Sequence, residues 1–202
     1  MKKIWAVLAA LILVCGGCAA EDVISSATLE METLPAVENG ENGILVAYFS
    51  PDDTVRAAAY AIAAELSAEL FEIEPAEPYT EDDLDYRNNK SRSMTEMGDA
   101  QARPEITALP EDLSGIQTVI LCYPIWGGQA PKILFTFLEG VDLSGKMVIP
   151  FATSNSSGIG RSSKALQNCT GDSVAWEEGK GIKKGATEEE IRLWAASLEL
   201  GK

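Results

Sequence analysis

The chain of 202 residues contains no histidine. This absence excludes Ser-His-Asp and Cys-His catalysis, and it removes the commonest zinc ligand. Cysteine is also scarce, because Cys15 and Cys18 lie near the N-terminus and only Cys122 and Cys169 fall in the remainder. Those two are far apart and lack metal-ligand spacing, so we expect small buried hydrophobic residues and neither a metal site nor a disulfide.

Positive charge is the second shortage. The 16 Lys and Arg residues stand against 31 Asp and Glu residues, a formal net charge of −15. Without Lys2 and Lys3, which lie in a removable leader, the net charge would be −17. Such a chain repels nucleic-acid backbones and has no basic stripe to offset this, so we expect no nucleic-acid binding. The acidity suits a redox carrier that docks on basic partners, and it suits plain solubility equally.

The N-terminal residues have the pattern of a signal peptide. Positively charged Met1-Lys2-Lys3 precedes an unbroken apolar run of 12 residues, Ile4–Cys15. That length is enough for a signal peptide and too short to span a bilayer. The following Gly16-Gly17-Cys18 resembles the lipobox of bacterial lipoproteins, although Cys15 stands where an aliphatic residue is usual. The resemblance implies that residues 1–18 are a lipoprotein signal segment, cleaved so that a lipidated Cys18 becomes the N-terminus, and that the protein is extracytoplasmic and membrane-anchored; ordinary secretion is the alternative.

The rest of the chain divides into a tether and one domain. Residues 19–43 are acidic and polar without apolar periodicity, which is typical of a flexible tether. Residues 44–202 are enough for a domain with its own hydrophobic core.

The apolar pattern of this domain alternates between strands and helices. Predicted strands are 44–49, 70–73, 118–123, 147–151 and a weak one at 174–176; predicted helices are 54–66, 133–138 and one that begins with a capping box at 187–190. The strands are apolar without alternation, so we predict an α/β fold with a doubly wound, five-stranded parallel sheet covered on both faces. Residues 74–114 form a long connection of unassigned role.

Ligands of such sheets lie beyond the carboxyl ends of the strands, where the strand order reverses. Three loops leave strand ends, and all are rich in small, hydroxyl or aromatic residues: 50–54, 124–129 and 153–160. The topology therefore predicts a binding site at this edge.

The three loops contain, in this order, the motifs Tyr48-Phe49-Ser50, then Tyr123-Pro124-Ile125-Trp126-Gly127-Gly128-Gln129-Ala130-Pro131, then Phe151-Ala152-Thr153-Ser154 with Gly158-Ile159-Gly160. Together these motifs resemble the flavodoxin superfamily over nearly all of residues 44–200. An insert with Asp83-Leu84-Asp85-Tyr86 and Arg103-Pro104 is similar to the long-insert branch of that superfamily. The resemblance implies strand order 2-1-3-4-5.

The resemblance also implies FMN as cofactor and electron transfer to an unknown redox partner protein or small acceptor, with an FMN-dependent oxidoreductase as a variant. The implied FMN contacts are Ser50 and Thr54 at the phosphate, Pro124, Ile125, Trp126 and Gly127 along the ring, and Thr153, Ser154 and Gly158 at its other edge. No catalytic side chain and no metal ligand is predicted. A tryptophan that caps the core and glycines that only make a turn are the alternatives for the second loop.

The first loop departs from the family pattern Ser-x-Thr-Gly-x-Thr. The chain reads Ser50-Pro51-Asp52-Asp53-Thr54-Val55, which sets two carboxylates where a phosphate would lie. At roughly 6 Å each carboxylate repels the phosphate by about 1 kcal/mol per charge in water, against about 0.3–1 kcal/mol gained at a helix N-terminus. The segment is also a complete helix start, with Ser50 as N-cap, Pro51 at N1 and Asp53 at N3. The second hypothesis is therefore a flavin-free binding or scaffold lipoprotein that keeps the fold.

Three further groups of charged residues are candidates for chemistry. We expect the acidic clusters at 81–83 and 188–190 to be solvent-exposed structural residues and not calcium or paired-carboxylate sites, because the first lacks calcium-loop spacing and the second forms a first helical turn. Arg92 in the insert could approach a flavin or an acidic substrate. We expect Lys180, Lys183 and Lys184 to be ordinary surface residues.

Overall fold

A computed structural model describes residues 42–155 and 158–200. The predicted signal peptide, Cys18 and all but the last two residues of the predicted tether lie outside the described residues. No helix in the described part of the chain is long and apolar enough to cross a membrane.

The elements alternate along the chain as predicted. The strands are β1 (Ile44–Tyr48), β2 (Glu69–Glu72), β3 (Thr118–Pro124), β4 (Met147–Ser154), β5 (Ala175–Trp176) and β6 (Lys180–Lys183). The helices are α1 (Asp53–Leu66), α2 (Arg92–Gly98), α3 (Ile133–Gly140), α4 (Ser162–Gln167) and α5 (Glu188–Ala196). The sequence did not predict α2, α4 or β6, because 7 and 6 helical residues are too few for a clear period and Lys180–Lys183 lacks apolar character.

The strands form one parallel sheet in the order β2-β1-β3-β4-β5, which confirms the predicted fold. The fifth position is shared by two short strands, because β5 pairs with Met147–Val148 and β6 pairs with Phe151–Ser154.

The interruption of the edge strand has a cause in β4. The carbonyls of Val148 and Ser154 accept from the N–H groups of Glu177 at 3.1 Å and Lys184 at 2.8 Å, so the even-numbered residues of β4 direct their backbone groups to this edge. Pro150 has the same parity and has no N–H to donate. The edge ladder therefore breaks opposite Pro150 and resumes as β6.

Helices cover both faces of the sheet. Helices α1 and α5 pack on the face that carries Val46, Ile120 and Phe151. The opposite face, with Val119 and Leu121, packs against α3 and α4. Adjacent strand residues bury their side chains on opposite faces, so the strands are apolar throughout.

Candidate functional site at the carboxyl edge of the sheet

The three loops that follow β1, β3 and β4 lie side by side at the carboxyl edge. The rings of Phe49 and Trp126 are 5.7 Å apart, which joins the end of β1 to the loop after β3. The N–H of Ile125 donates to the carbonyl of Thr153 at 2.8 Å, which joins that loop to the end of β4. The strand order reverses between β1 and β3, so the loops meet where the topology predicts a ligand.

The first loop starts α1 differently from the prediction. Asp52 is the N-cap, with extended backbone at φ −131° and ψ 164°, and its carboxylate accepts from the N–H of Thr54 at 3.1 Å. The predicted start, with Ser50 as N-cap, Pro51 at N1 and Asp53 at N3, is wrong. The Ser50 hydroxyl instead accepts from the N–H of Arg56 at 2.9 Å and donates to the carbonyl of Asp52. Ser50 therefore bonds to the helix from the preceding loop and is not its N-cap.

Asp52 is bound on its other side by a lysine that the sequence analysis treated as surface. The second carboxylate oxygen of Asp52 lies 2.8 Å from Nζ of Lys184, and both side chains are about two-fifths exposed. Partial burial acts to raise the pKa of Asp52, but Lys184 and Thr54 outweigh it, so the pKa is lowered and the carboxylate is ionised at neutral pH. Lys184 directly follows β6, which is parallel to β4, so the lysine lies at this same edge. Recognising β6 as a strand in the sequence would have placed Lys184 near the site.

Arg56, a second cation near the first loop, is already paired. Arg56 contacts Asp53 at 3.2 Å and Glu72 at 2.6 Å, and the hydroxyl of Tyr48 donates to the same Glu72 carboxylate at 2.9 Å. Burial and the neighbouring Glu72 raise the pKa of Tyr48, which stays protonated. Ser50 and Thr54 therefore sit in a loop whose charged groups are bound to one another.

The second loop is a tight turn after the buried end of β3 at Pro124. Trp126 and Gln129 exchange backbone hydrogen bonds at 3.0 and 2.9 Å. Gly127 and Gly128 between them have φ of +55° and +81°, a conformation that favours glycine at both positions. The turn alone accounts for both glycines, and their exposed backbone leaves open space above them.

Trp126 is half-buried in an aromatic cluster that the insert completes. The ring of Tyr79 lies 5.5 Å from the Trp126 ring and 5.7 Å from Phe49, in edge-on geometry. The hydroxyl of Tyr79 donates to Glu96 at 2.6 Å, and the guanidinium of Arg92 lies 4.1 Å from the centre of the Tyr79 ring. Arg92 also pairs with Glu96 at 2.8 Å, so this arginine secures the insert against Trp126.

The third loop begins with a buried hydroxyl that lacks a partner. Thr153 is 1% exposed, and its Oγ1 is the one buried side-chain polar atom in residues 42–155 and 158–200 without a hydrogen bond. An unsatisfied buried group of this kind costs about 1–3 kcal/mol, which a water or a ligand atom would recover. Ser154 is buried beside it, and Gly158 follows with φ of +101°.

Two surface hollows lie away from this edge. One of about 380 Å³ lies between α1 and α5 and is lined by Glu65, Arg192 and Leu193. The other, of about 360 Å³, lies at the opposite edge near Leu113 and Lys146. Neither contains a predicted site residue, whereas the aromatic rings of Phe49, Tyr79 and Trp126 come together at the carboxyl edge.

The remaining candidate residues have local structural partners. Cys122 is buried and Cys169 is half-buried, and both are free thiols. The Asp83 carboxylate accepts from the N–H and hydroxyl of Thr80 at 2.9 and 2.8 Å. In the described residues no group of three or more Cys, Asp or Glu side chains is placed to hold a metal ion.

Comparison with known proteins gives a family and several structures of the same fold. A family model described as flavodoxin matches residues 43–198. A proposed flavoprotein from Bacteroides eggerthii is 41% identical, with a TM-score of 0.71, over 78% of this chain and 98% of its own. A second proposed flavoprotein, from Bacteroides uniformis, is 39% identical, with a TM-score of 0.71, over 76% of this chain and 97% of its own. A Lactobacillus acidophilus flavoprotein in complex with FMN shares the fold at 17% identity and a TM-score of 0.58, over 76% of this chain and 99% of its own. No curated protein matches the chain.

Proposed function

The chain is a member of the flavodoxin family, and we propose that the carboxyl edge of its sheet binds a flavin and that the protein transfers electrons through it. The observation that carries the proposal is that the three loops meet at this edge, where Trp126 packs against Phe49, Ile125 is bonded to Thr153 and the glycine turn is open. FMN is the flavin that the resemblance implies, and the FMN complex of the Lactobacillus protein supports its choice as first ligand.

The ring-binding half of the edge fits a flavin. A flat heteroaromatic ring binds well beside an aromatic face, which Trp126 offers, and the bare backbone of Gly127 and Gly128 allows close approach. Thr153 supplies a buried hydroxyl without a partner in the described structure, suited to a ring nitrogen or oxygen. A bound flavin would supply the redox chemistry, while the chain orients the ring and sets its surroundings.

The phosphate half does not fit as it is arranged. The Asp52 carboxylate already holds the Thr54 N–H and the Lys184 ammonium, and Ser50 already holds the N–H of Arg56. The donors that Asp52 and Ser50 already hold are open to a phosphate only if those side chains move away.

The same arrangement favours one competing function. A chain whose α1 is capped by its own Asp52 and whose glycines complete a hydrogen-bonded turn needs no ligand for either feature. A flavin-free binding or scaffold protein of the same fold is therefore the second candidate, and flavin titration separates the two.

The location of the protein is a further part of the proposal. We propose that Cys18 is lipidated and holds the domain outside the cytoplasm through the acidic tether, on the pattern of residues 1–43. The variant Cys18→Ser should then leave the membrane fraction, and equal membrane retention of both forms would contradict the anchor.

The test of flavin binding is a titration of the purified full-length chain in detergent with FMN and riboflavin, followed by quenching of flavin fluorescence. We expect saturable binding at micromolar flavin. The variant Trp126→Ala should weaken binding about 3- to 10-fold through loss of an aromatic contact. The matched control Trp176→Phe alters a tryptophan that donates to Thr170 at 2.9 Å on the edge strand, and it should leave binding unchanged. No quenching by either flavin at about 100 μM, well above typical cofactor affinities, contradicts the proposal.

A further inference from the structure

The Asp52 carboxylate lies in the arrangement that an anion adopts at a helix N-terminus. One oxygen accepts the N–H of Thr54 at 3.1 Å and the other accepts from Nζ of Lys184 at 2.8 Å. A backbone N–H in the first helical turn and an ammonium group are the donors that a bound phosphate would use. The chain thus supplies its own anion to both donors.

We propose that the Asp52–Lys184 pair replaces the phosphate and makes the site selective for flavins without a phosphate, of which riboflavin is the simplest. This inference rests on the proposed flavin binding and concerns which class of flavin the site accepts.

The pair is held in place from two sides of the edge. The backbone N–H of Lys184 donates to the carbonyl of Ser154 at 2.8 Å, so the lysine is fixed to the end of β4. Asp52 is fixed as the N-cap of α1, and its carbonyl accepts from Ser50. The ion pair therefore joins the first loop to the third across the place where the resemblance implies the phosphate.

The arginine in the first turns of α1 is not free to hold a phosphate. Arg56 is bound to Glu72 at 2.6 Å and to Asp53 at 3.2 Å. A phosphate that displaced Asp52 would gain Lys184 and Thr54, but it would leave the Asp52 carboxylate close to a group of nearly two negative charges. A flavin without a phosphate meets none of this repulsion.

The test compares the dissociation constants of FMN and riboflavin for the full-length chain in detergent. We expect riboflavin to bind at least as tightly as FMN. The variant Asp52→Thr removes the carboxylate, keeps a residue that caps helices and frees Lys184. It should lower the ratio of the FMN constant to the riboflavin constant about tenfold, because the nearest repelling charge is gone.

Asp53→Thr is the matched control, because it makes the same change of charge one residue along. The Asp53 side chain is 95% exposed and faces Arg56. We therefore expect the ratio of the FMN constant to the riboflavin constant in Asp53→Thr to stay near that of the unchanged chain. Unfolding midpoints of both variants verify that they are folded.

Two outcomes overturn the inference while flavin binding stands. One is FMN binding more tightly than riboflavin in the unchanged chain, and the other is an equal ratio in Asp52→Thr and Asp53→Thr. If neither flavin binds to any form, the proposed function fails together with the inference.

Discussion

Asp52 serves two roles at the start of α1, and their energies differ. An N-cap side chain contributes about 0.5–2 kcal/mol to stability, whereas an exposed ion pair contributes about 0–1 kcal/mol. The contact with Lys184 is of the second kind, since both side chains are about two-fifths exposed. Asp52 therefore stabilises the fold chiefly as a cap, and its contact with Lys184 matters more for what the loop can bind.

Gly181 in β6 allows the edge strand to pack directly on the third loop. A Cβ at this position would lie 2.7 Å from Cα of Gly158 and closer still to the atoms that follow it. We predict that Gly181→Ala destabilises the domain by about 1–3 kcal/mol, the usual cost of an overpacked contact. Urea unfolding measures the change.

The control for this substitution is Gly115→Ala, where a Cβ meets no atom within 4 Å. Its unfolding midpoint should stay close to that of the unchanged chain. Equal midpoints for the two variants would show that β6 and the third loop are not in close contact.

At the scale of elements, α5 depends on the capping box that the sequence predicts. The Thr187 hydroxyl accepts from the N–H of Glu190 at 3.2 Å, and the Glu190 carboxylate accepts from the N–H of Thr187 at 2.9 Å. Because α5 packs on α1 and on the sheet, fraying of its first turn weakens that layer.

We predict that Thr187→Ala lowers the free energy of unfolding by about 0.5–2 kcal/mol. Thr187→Ser keeps a hydroxyl that can accept the same hydrogen bond, so it should lower the free energy of unfolding by less than Thr187→Ala. Chemical denaturation of the three forms makes the comparison, and equal losses from Ala and Ser would argue against the cap.

The insert also acts as an element of the site. Helix α2 presents Arg92 and Glu96 to Tyr79, and Tyr79 contacts Trp126. These contacts join residues that are up to 47 positions apart in the sequence, from Tyr79 to Trp126. No local pattern predicts such a contact, so the sequence left the role of residues 74–114 open.

At the scale of the whole molecule, charge repulsion opposes folding. With a net charge of −15, the chain holds far more acids than its ion pairs can neutralise. We predict that raising NaCl from about 10 to about 150 mM raises the urea midpoint, because screening weakens this repulsion. A midpoint that falls with added salt would mean that attractive pairs such as Asp52–Lys184 outweigh the repulsion.

The fold was predictable because its central strands are long and buried on both faces. Ile44–Tyr48 and Thr118–Pro124 are wholly buried, so their apolar runs stand out in the sequence. The edge strand was only half predicted, since β6 is partly exposed, contains two lysines and is separated from β5 opposite Pro150. Because β6 was not predicted, Lys184 was not predicted to lie at the site.

The site was predictable as a place and only partly in its contacts. Topology and motifs indicated the three loops that the structure brings together, from Phe49 to Trp126 to Thr153. The cap was assigned to Ser50 because any small polar residue before Pro51 suits a helix start. Asp52 suits a cap equally well, so the local sequence does not decide between them. The contact of Asp52 with Lys184, 132 residues away, has no local signal. The predicted roles of the nine residues as flavin contacts stay predictions.

The central claim is that a flavin binds at the carboxyl edge of the sheet. Hydrogen exchange of the full-length chain, measured with and without saturating riboflavin, tests the place directly. We predict slower exchange in peptides that cover residues 124–129 and 153–154, which form the ring-binding half of the edge. Slower exchange confined to the hollow between α1 and α5, or no change in any peptide at saturation, would contradict the claim.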